Sequence, residues 1–412
     1  MLLLLQFKNN NKGIMKSPLF GIKVMDFSHV MAGPFCTHTL HQLGAEIIKI
    51  EAPGKGDVMR HYDPREAFKA MAPPFIAVNT GKRSIAINLK HEKGIDIVKR
   101  LIADADVLVE NFRPGVMQRL GLGYDDCKVL NDKLVYCSVS GFGQSGPLRD
   151  NPAYDHIVQA FSGVMSLTGE PGSPATKVGF PVLDTFAGYT AATAILAAIL
   201  QRERFGEGQY IDIAMLDASL NLMISMVAPY LIAGDVPQKV GNRGFNNSPT
   251  SDTFPSADGE VSIGANTQVQ FEALCRAIGR EDMLENPLYA SHEERLQNRQ
   301  ALRADIEANT RQKSAEEWEA IFNAVGVPSA AIRSIPEVAG LEHLQTRGLF
   351  RAQENTSGES KVTLGPGFNL KAMQHESVGP APRLGEHSNE ILLALNYSQQ
   401  EIDALRAEGV VQ

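Results

Sequence analysis

The apolar and polar positions in the first half of the chain predict parallel strands connected by helices. Residues 21–27 and 46–51 have the apolar character of buried strands, and residues 34–43 between them have helical spacing. A strand, a helix and a strand joined by short connections are typical of a βαβ unit. The pattern returns in predicted strands at 84–88, 107–110 and 134–138 and in a predicted helix at 92–103. We therefore expect an α/β fold with an open, doubly wound parallel sheet.

A ligand of such a sheet is expected beyond the carboxyl ends of the strands. The loops that follow the predicted strands should gather there; they are residues 28–34, 51–60, 111–115 and 139–147.

The second half of the chain begins with an apolar helix and then changes in texture. Residues 184–204 are rich in alanine and predict one long buried helix, which Gly206 and Gly208 should end. A strand at 210–215 and a helix through residue 231 should follow. Residues 241–256 contain many Asn, Ser, Pro and Thr residues, which is typical of a linker or an active-site loop.

The remaining pattern predicts a second, smaller domain. Asp258-Gly259 should form a turn into a strand at 260–264, and helices are predicted at 293–312, 315–324 and 388–395. The predicted organisation is a poorly ordered extension (1–16), the first part of the large domain (17–233), a linker with a small α+β domain (234–335), and a C-terminal segment that returns to the large domain (336–412).

The composition is typical of a globular enzyme in a reducing cytoplasm. The 412 residues are 43% hydrophobic and 21% charged, and 39 basic against 47 acidic side chains give a net charge of -8. A nucleic acid or an anionic membrane favours a basic surface, so we expect neither as a partner. No Cys-x-x-Cys pair is present, which predicts free thiols and no metal site. The four cysteines are Cys36, Cys127, Cys137 and Cys275.

No apolar run approaches the length of a membrane span, and the apolar stretch of the first five residues is too short for a signal peptide. A spanning helix needs about 20 apolar residues, and a signal peptide has an apolar region of roughly 7–15. We therefore expect a cytoplasmic protein.

Three common site motifs are missing. The first strand is followed by Ser28-His29-Val30-Met31-Ala32-Gly33-Pro34, where a dinucleotide site would have Gly-x-Gly-x-x-Gly. The Walker pattern is absent, and Ser145 lacks the Gly-x-Ser-x-Gly spacing of a nucleophile elbow. Dinucleotide binding, nucleotide hydrolysis and serine-hydrolase chemistry are therefore disfavoured.

A series of loop motifs remains, and its order along the chain is informative. The motifs are Ala32-Gly33-Pro34, Glu51-Ala52-Pro53-Gly54-Lys55-Gly56-Asp57, Gly81-Lys82-Arg83-Ser84, Glu110-Asn111-Phe112-Arg113-Pro114-Gly115, Ser140-Gly141-Phe142-Gly143, Ala153-Tyr154-Asp155 with Gln159-Ala160-Phe161-Ser162-Gly163, Asp184 with Gly188, and Gly385-Glu386-His387. Together, from about Pro18 to the C-terminus, they resemble the class III CoA-transferase family, which includes formyl-CoA transferase and carnitine CoA-transferase.

The resemblance implies roles for particular residues. Asp184 matches the nucleophilic aspartate of the family, whose carboxylate carries first an acyl group, as an anhydride, and then CoA, as a thioester. Acyl-CoA is then a substrate, with no tightly bound cofactor and no metal. The resemblance also implies a Rossmann-like large domain with a smaller domain. It further implies two chains threaded through each other as an interlocked homodimer. The implied CoA contacts are His29, Met31, Ala32, Leu89, Lys90, Asn111, Phe112, Arg113, Arg119, Ala153, Tyr154 and Asp155.

Departures from the family pattern bear on the substrate and leave alternatives. Formyl-CoA transferases have Gln at the position of Met31 and several consecutive glycines where residues 262–267 contain only Gly264. This favours relatives that move CoA between succinyl-CoA and other carboxylic acids. An α-methylacyl-CoA racemase would need His where Tyr154 stands, and a non-catalytic acyl-CoA-binding protein would not need Asp184. Asp184 could also be a plain helix N-cap, a role compatible with catalysis.

Overall fold

The structure is a computed structural model that describes residues 17–244, 248–353, 361–371 and 379–412. The predicted extension at residues 1–16 lies outside the described residues. The strands are β1 (Lys23–Asp26), β2 (Glu46–Glu51), β3 (Arg83–Ala86), β4 (Val107–Glu110), β5 (Val135–Ser140), β6 (Gln209–Ala214), β7 (Ser251–Pro255), β8 (Glu260–Gly264), β9 (Ser329–Ala331), β10 (Phe350–Gln353) and β11 (Lys361–Leu364).

Helices connect these strands and flank them. They are α1 (Ala32–Gln42), α2 (Pro73–Asn79), α3 (Glu92–Ala103), α4 (Val116–Arg119), α5 (Tyr124–Leu130), α6 (Asp155–Ser162), α7 (Val164–Leu167), α8 (Val182–Phe205), α9 (Met215–Leu222), α10 (Ile224–Ala233), α11 (Gln268–Ala277), α12 (Asp282–Glu285), α13 (His292–Gln297), α14 (Arg299–Thr310), α15 (Ala315–Ala324), α16 (Ile335–Ala339), α17 (Glu342–Thr346), α18 (Ser388–Ala394) and α19 (Gln399–Ala407).

The chain forms two compact units. The first contains the described residues up to Met165 together with Lys177–Val236 and Leu344–Gln412, and the second contains Ser166–Thr176 and Pro237–His343. The boundaries predicted from sequence were 234 and 335, and the short insertion at Ser166–Thr176 was not predicted. The second unit holds the antiparallel sheet β7-β8-β9 and a core of its own.

A six-stranded parallel sheet organises the first unit, which confirms the predicted α/β class. Its strand order is β3-β2-β1-β4-β5-β6. The chain adds strands in one direction from β1 to β3 and in the opposite direction from β4 to β6, so the order reverses between β1 and β4. Met25 of β1 pairs with Ile48 of β2 on one side and Leu108 of β4 on the other. Such a reversal leaves a crevice at the carboxyl ends of the two central strands, where α/β proteins bind ligands.

The two faces of the sheet are covered by different helices because successive strand residues point to opposite faces. Val107 and Val109 of β4 pack in a core with α1 and α8, whereas Leu108 packs in a second core with α3 and α19. Strands buried on both faces explain the continuous apolar runs in the sequence.

Helix α8 approaches α1 more closely than an ordinary side chain would permit. A Cβ atom on Gly188 would lie 2.7 Å from the Ala32 carbonyl oxygen and 2.9 Å from Phe35. At the other end of α8, Arg202 pairs with Asp106 at 3.0 Å. The helix ends at Gly206, whose φ of 87° is the left-handed conformation that favours glycine.

The expectation of one long buried helix is confirmed for the length of α8 and only in part for its burial. Only one stripe of the helix is buried, whereas Leu200 and Phe205 are exposed. The expectation that no apolar run is long enough for a membrane is also corrected, because Val182–Phe205 meets the length and hydropathy required, with a mean hydropathy of 1.5. The buried stripe packs on α1 and the sheet, and core helices of this kind meet the same criterion.

Several other elements differ from their predicted form. The helix predicted after β6 is two helices, α9 and α10, with an 83° bend between them. Strand β7 lies within the predicted linker 241–256 and pairs with β8, so the predicted turn at Asp258-Gly259 closes a hairpin. The predicted helix 293–312 is divided into α13 and α14, and α19 was not predicted.

Candidate active site

Asp184 lies in the first turn of α8, close to the crevice at the carboxyl ends of the strands. The helix begins at Val182 with Pro181 in the capping position, so Asp184 is not the N-cap. Helix periodicity puts Asp184 on the same face as Gly188, one turn earlier. Because Gly188 packs against Ala32, Asp184 is on the side of α8 that faces the N-terminus of α1.

Asp155 supplies the N-terminal cap of α8 from a different helix. Its Oδ2 atom accepts hydrogen bonds from the backbone N–H groups of Leu183 at 2.8 Å and Asp184 at 3.0 Å. A carboxylate is favoured at this end of a helix, where N–H groups lack internal partners. The resemblance counts Asp155 among the CoA contacts, but its carboxylate is committed to the helix that carries Asp184.

Gln159 completes this support, and its role was not predicted from sequence. The side chain is fully buried and donates to Asp155 Oδ1, while its own oxygen accepts the N–H of Val178 at 2.8 Å. The segment before α8 and the start of α8 are thus fixed by the same Asp155–Gln159 pair. The spacing of four residues between the two could have indicated the pair, since such side chains are neighbours on a helix.

The carboxylate of Asp184 has a raised pKa and no hydrogen-bond partner within the described ranges. Burial, and then the negative charge of Asp155, raise its pKa from 3.8 to about 7. A carboxylate without hydrogen bonds keeps its lone pairs available, and a raised pKa makes it a stronger nucleophile when ionised.

The loop between β1 and α1 is held by side chains from three neighbouring segments. Asp26 accepts the N–H of Ser28 at 2.9 Å, and Asp57 accepts the N–H of Val30 at 3.2 Å. The side-chain amide of Asn111 pairs with the backbone N–H and carbonyl of His29, each at 2.8 Å. The predicted convergence of loops 28–34, 51–60 and 111–115 is therefore confirmed.

The fourth predicted loop, 139–147, is fixed by other parts of the first unit. The Gly141 carbonyl accepts the N–H of Leu216 at 3.0 Å, and a Cβ atom on Gly141 would lie 2.2 Å from the Ala153 side chain. Ala153 is thus a packing residue beside the exposed Tyr154, whose ring is stacked on His156 with centroids 6.2 Å apart.

His29 presents a neutral ring at this site. Burial, and then the nearby Lys49, lower its pKa below the ordinary 6.5. The ring contacts Phe112 edge-on with centroids 5.3 Å apart. A neutral imidazole can donate or accept a hydrogen bond at the mouth of the crevice.

The first turn of α1 offers backbone donors beside this ring. The N–H groups of Met31, Ala32 and Gly33 have no acceptor in the part of the chain that the structure describes. Donors of this kind, held rigidly beside a nucleophile, suit the oxyanion of an acyl-transfer intermediate.

Basic side chains suited to phosphate gather around Gly115. A Cβ atom there would lie 3.1 Å from a guanidinium nitrogen of Arg119 and 3.7 Å from one of Arg149. Neither arginine, nor the exposed Arg113, is in an ion pair among the described residues. Arg149 was not predicted from sequence, because one arginine in a polar loop gives no signal of its spatial neighbours.

The other predicted contacts lie farther out. Leu89 packs on the core beneath β3, and the backbone N–H of the exposed Lys90 bonds locally to Asn88 at 3.0 Å. No described contact brings these two residues to Asp184. Tyr62, which was not predicted as a site residue, lies within electrostatic reach of Asp184. Burial raises its pKa, and so do the charges of Asp57, Tyr154 and Asp184. Among the described residues, no group of His, Cys, Asp and Glu is arranged to hold a metal ion.

An apolar cavity of about 640 Å³ adjoins the loop at Met31. Met31, Phe35 and Tyr189 form the wall shared with the start of α1 and with α8, and β10 and β11 contribute to another wall. No lysine or arginine lines the cavity among the described residues. The cavity could therefore hold an apolar chain, but it provides no cation for a second carboxylate.

Known proteins resemble this chain along almost its whole length. The model of CoA-transferase family III matches residues 19–388. A succinate–glutarate CoA-transferase of Agrobacterium fabrum is 36% identical over 92% of this chain and 96% of its own length. An acetyl-CoA:oxalate CoA-transferase of Acetobacter aceti is 39% identical over 81% of this chain and 86% of its own. The crystal structure of a CAIB/BAIF family protein from Brucella suis is 32% identical, with a TM-score of 0.83 over 92% of this chain and 99% of the other.

The raised pKa of Asp184 predicts a stability effect that depends on pH. An acid whose pKa is higher in the folded protein favours folding when protonated, and this advantage is lost as pH rises from about 4 to about 7. Asp184→Asn is neutral throughout, so it should raise the melting temperature at pH 8 more than at pH 5. Thermal unfolding at both pH values measures this, with the exposed Asp132→Asn as control. An equal effect of Asp184→Asn at the two pH values would contradict the raised pKa.

Proposed function

The chain belongs to CoA-transferase family III and is an enzyme of this class, and we propose that it moves CoA from an acyl-CoA, such as succinyl-CoA, to another carboxylic acid through covalent intermediates on Asp184. The observation that carries the proposal is the carboxylate of Asp184, which is partly accessible and lacks a hydrogen-bond partner among the described residues. The raised pKa, the capped helix start and the N–H groups of α1, which lack acceptors among the described residues, support the same role.

The proposed reaction begins with attack by the ionised Asp184 on the thioester carbonyl. The C–S bond breaks, which gives an acyl-aspartyl anhydride and CoA thiolate. The thiolate then attacks the aspartyl carbonyl, releases the first acid and leaves an aspartyl-CoA thioester. The acceptor carboxylate reverses these steps and regenerates Asp184. We expect the oxyanions to be stabilised by the N–H groups of Met31, Ala32 and Gly33, which lack acceptors among the described residues.

The basic residues and the first loop support recognition of CoA. Arg119 and Arg149 converge near Gly115, and with Arg113 they provide guanidinium groups for the CoA phosphates. His29 and Met31 lie in the loop that leads into α1, and α1 packs against Gly188 one turn after Asp184, so we expect the thioester end to bind there. The acid pair is open to experiment, since one relative is named for succinate and glutarate and another for oxalate.

Covalent labelling tests the proposed mechanism. The protein would be incubated with succinyl-CoA and a panel of mono- and dicarboxylic acids, then digested and weighed. We expect new acyl-CoA products, a CoA-sized mass on the peptide containing Asp184, and loss of both in Asp184→Ala. Exchange of CoA by Asp184→Ala would contradict the mechanism. Deuterium exchange at the α-carbon of a 2-methylacyl-CoA without CoA transfer would favour a racemase, and binding without turnover would favour a binding protein.

The pH dependence of transfer provides an independent test. Because Asp184 must be ionised, kcat/KM should fall about tenfold per pH unit below about 7. Asp155→Asn removes a charge that raises the pKa of Asp184, so this limb should move to lower pH, while Asp132→Asn leaves it in place. Rates measured from pH 5 to 9 check the prediction, and an unmoved limb in Asp155→Asn would contradict the assignment to Asp184.

The proposed enzyme is a homodimer, and α10 supports this. None of its residues is buried in the single chain, and Leu231 and Ile232 are 73% and 85% exposed. An apolar face of this kind usually marks an interaction surface. An interlocked dimer further implies that dilution alone does not separate the chains.

Mass photometry at nanomolar concentration tests the dimer. We expect twice the chain mass of 44.8 kDa. Ile232→Asp should reduce the yield of this species, because it buries a charge at the contact, whereas Val129→Asp, at a site 87% exposed on α5, should not. A particle of 44.8 kDa in the unmodified protein would contradict the proposal.

A further inference from the structure

Six charged side chains are buried together beneath the loop between β1 and α1. Each is at most 2% exposed, and we call them the buried ionic cluster. They are Asp26, Lys49, Glu51, Asp57, Arg60 and Lys82. Lys82 pairs with Asp26 at 2.9 Å, Lys49 with Asp57 at 3.1 Å and Arg60 with Glu51 at 2.6 Å. Three acids and three bases balance their charges.

Such a cluster is weak evidence for stability. Transferring six charges out of water is costly, and apolar residues of similar size often replace buried ion pairs with no loss of stability. The contacts of the cluster with the neighbouring loop point to another role.

Val30 in this loop has a strained backbone. Its φ is 64°, and it is the only β-branched residue with a positive φ among the described residues. The left-handed conformation brings the Cβ atom too close to the backbone of a residue other than glycine, and a β-branched residue there is an outlier. Strain of this kind persists only where surrounding contacts hold it, and it is concentrated at functional sites.

Asp57 and Lys49 make those contacts. Both oxygens of Asp57 accept the N–H of Val30 at 3.2 Å, and Lys49 Nζ donates to the carbonyl of Ser28 at 2.7 Å. Asp57 is itself fixed, because its N–H donates to Glu51 at 3.0 Å and Glu51 is bound by Arg60. The backbone on both sides of His29 is therefore tied to a single buried ion pair.

We propose that Asp57, paired with Lys49, is a positioning residue for CoA transfer: it holds Val30 in its left-handed conformation and so fixes His29 and the N–H groups of Met31 and Ala32 against the thioester. The inference rests on the proposed function. Asp57 does not touch the reacting atoms in this account, and it acts through the backbone of residues 28–32.

The charge states of the pair agree with this geometry. Burial alone would raise the pKa of Asp57, but Lys49 and the N–H donors lower it, and burial of Lys49 is likewise outweighed by Asp26 and Asp57. Both partners stay charged in the folded protein, so the contact with Val30 is a charge-assisted hydrogen bond.

A rescue experiment tests the proposal. Asp57→Asn keeps the size of the side chain but removes its charge and one of its acceptor oxygens. We expect kcat to fall about 10²-fold, as for a small misplacement of catalytic groups, with KM for acyl-CoA changed less than about threefold. Adding Val30→Gly should restore kcat about tenfold, because glycine adopts a positive φ without strain. Adding Val30→Ala should not, because alanine loses the branched methyl groups but keeps the Cβ atom that causes the strain.

The outcomes separate this role from general stability and from the proposed function. No fall in kcat in folded Asp57→Asn, or equal recovery with glycine and alanine, would overturn the proposal. Crystal structures of the variants give a readout without turnover: residue 30 should leave the left-handed region in Asp57→Asn and return to it with Val30→Gly. If the unmodified protein transfers no CoA, the proposed function fails. The conformation of residue 30 in the crystal structures still tests whether Asp57 holds the loop. If Asp57→Asn does not fold, Lys49→Gln/Asp57→Asn, which removes both charges, replaces it in the same series.

Discussion

The capping of α8 by Asp155 is the interaction on which the rest of the site depends. Two N–H groups at the start of the helix bind one buried carboxylate, so Asp184 has a fixed position and a negative neighbour. Burial, and then the negative charge of this same carboxylate, raise the pKa of Asp184. A carboxylate nucleophile needs both properties, because position lowers the barrier to attack and a higher pKa strengthens the attacking oxygen.

The opposite wall of the site, formed by the start of α1 and the loop before it, is also fixed by a few specific contacts. Gly188 lets α8 approach α1 closely enough to bring Asp184 towards the loop between β1 and α1. Any side chain at position 188 would separate the two helices. Beneath the loop, buried ion pairs hold a backbone conformation that the sequence of the loop itself disfavours. Local preference and tertiary structure therefore disagree at Val30, and such disagreement is expected at functional sites.

Much of the fold could be predicted because its signals are local. Short apolar runs identify the strands β1, β2 and β4, and helical spacing identifies α3. Each of these signals is contained in a stretch of a few residues. Burial around α8 could not be predicted, because an alanine-rich sequence has nearly the same hydrophobicity on every side. The site was predicted unevenly for a related reason. Asp184 and Asn111 stand in recognisable motifs, and so do Gln159 and Asp57. The contacts of Gln159 with Val178 and of Asp57 with Val30, and the position of Arg149 beside Gly115, join residues that are distant in sequence, and only the folded chain brings them together.

If Asp184 carries CoA covalently, its carboxylate must exchange an oxygen atom with the substrates in each turnover. Attack by an acceptor acid on an aspartyl-CoA thioester, followed by return of CoA to the acceptor acyl group, leaves one oxygen atom of the acceptor on Asp184. Turnover with an acceptor acid labelled with ¹⁸O in its carboxylate, followed by digestion and mass spectrometry, measures this directly. The account predicts ¹⁸O in the carboxylate of Asp184 after turnover and none in a control without the CoA donor. Sustained CoA transfer with no label on Asp184 would contradict it.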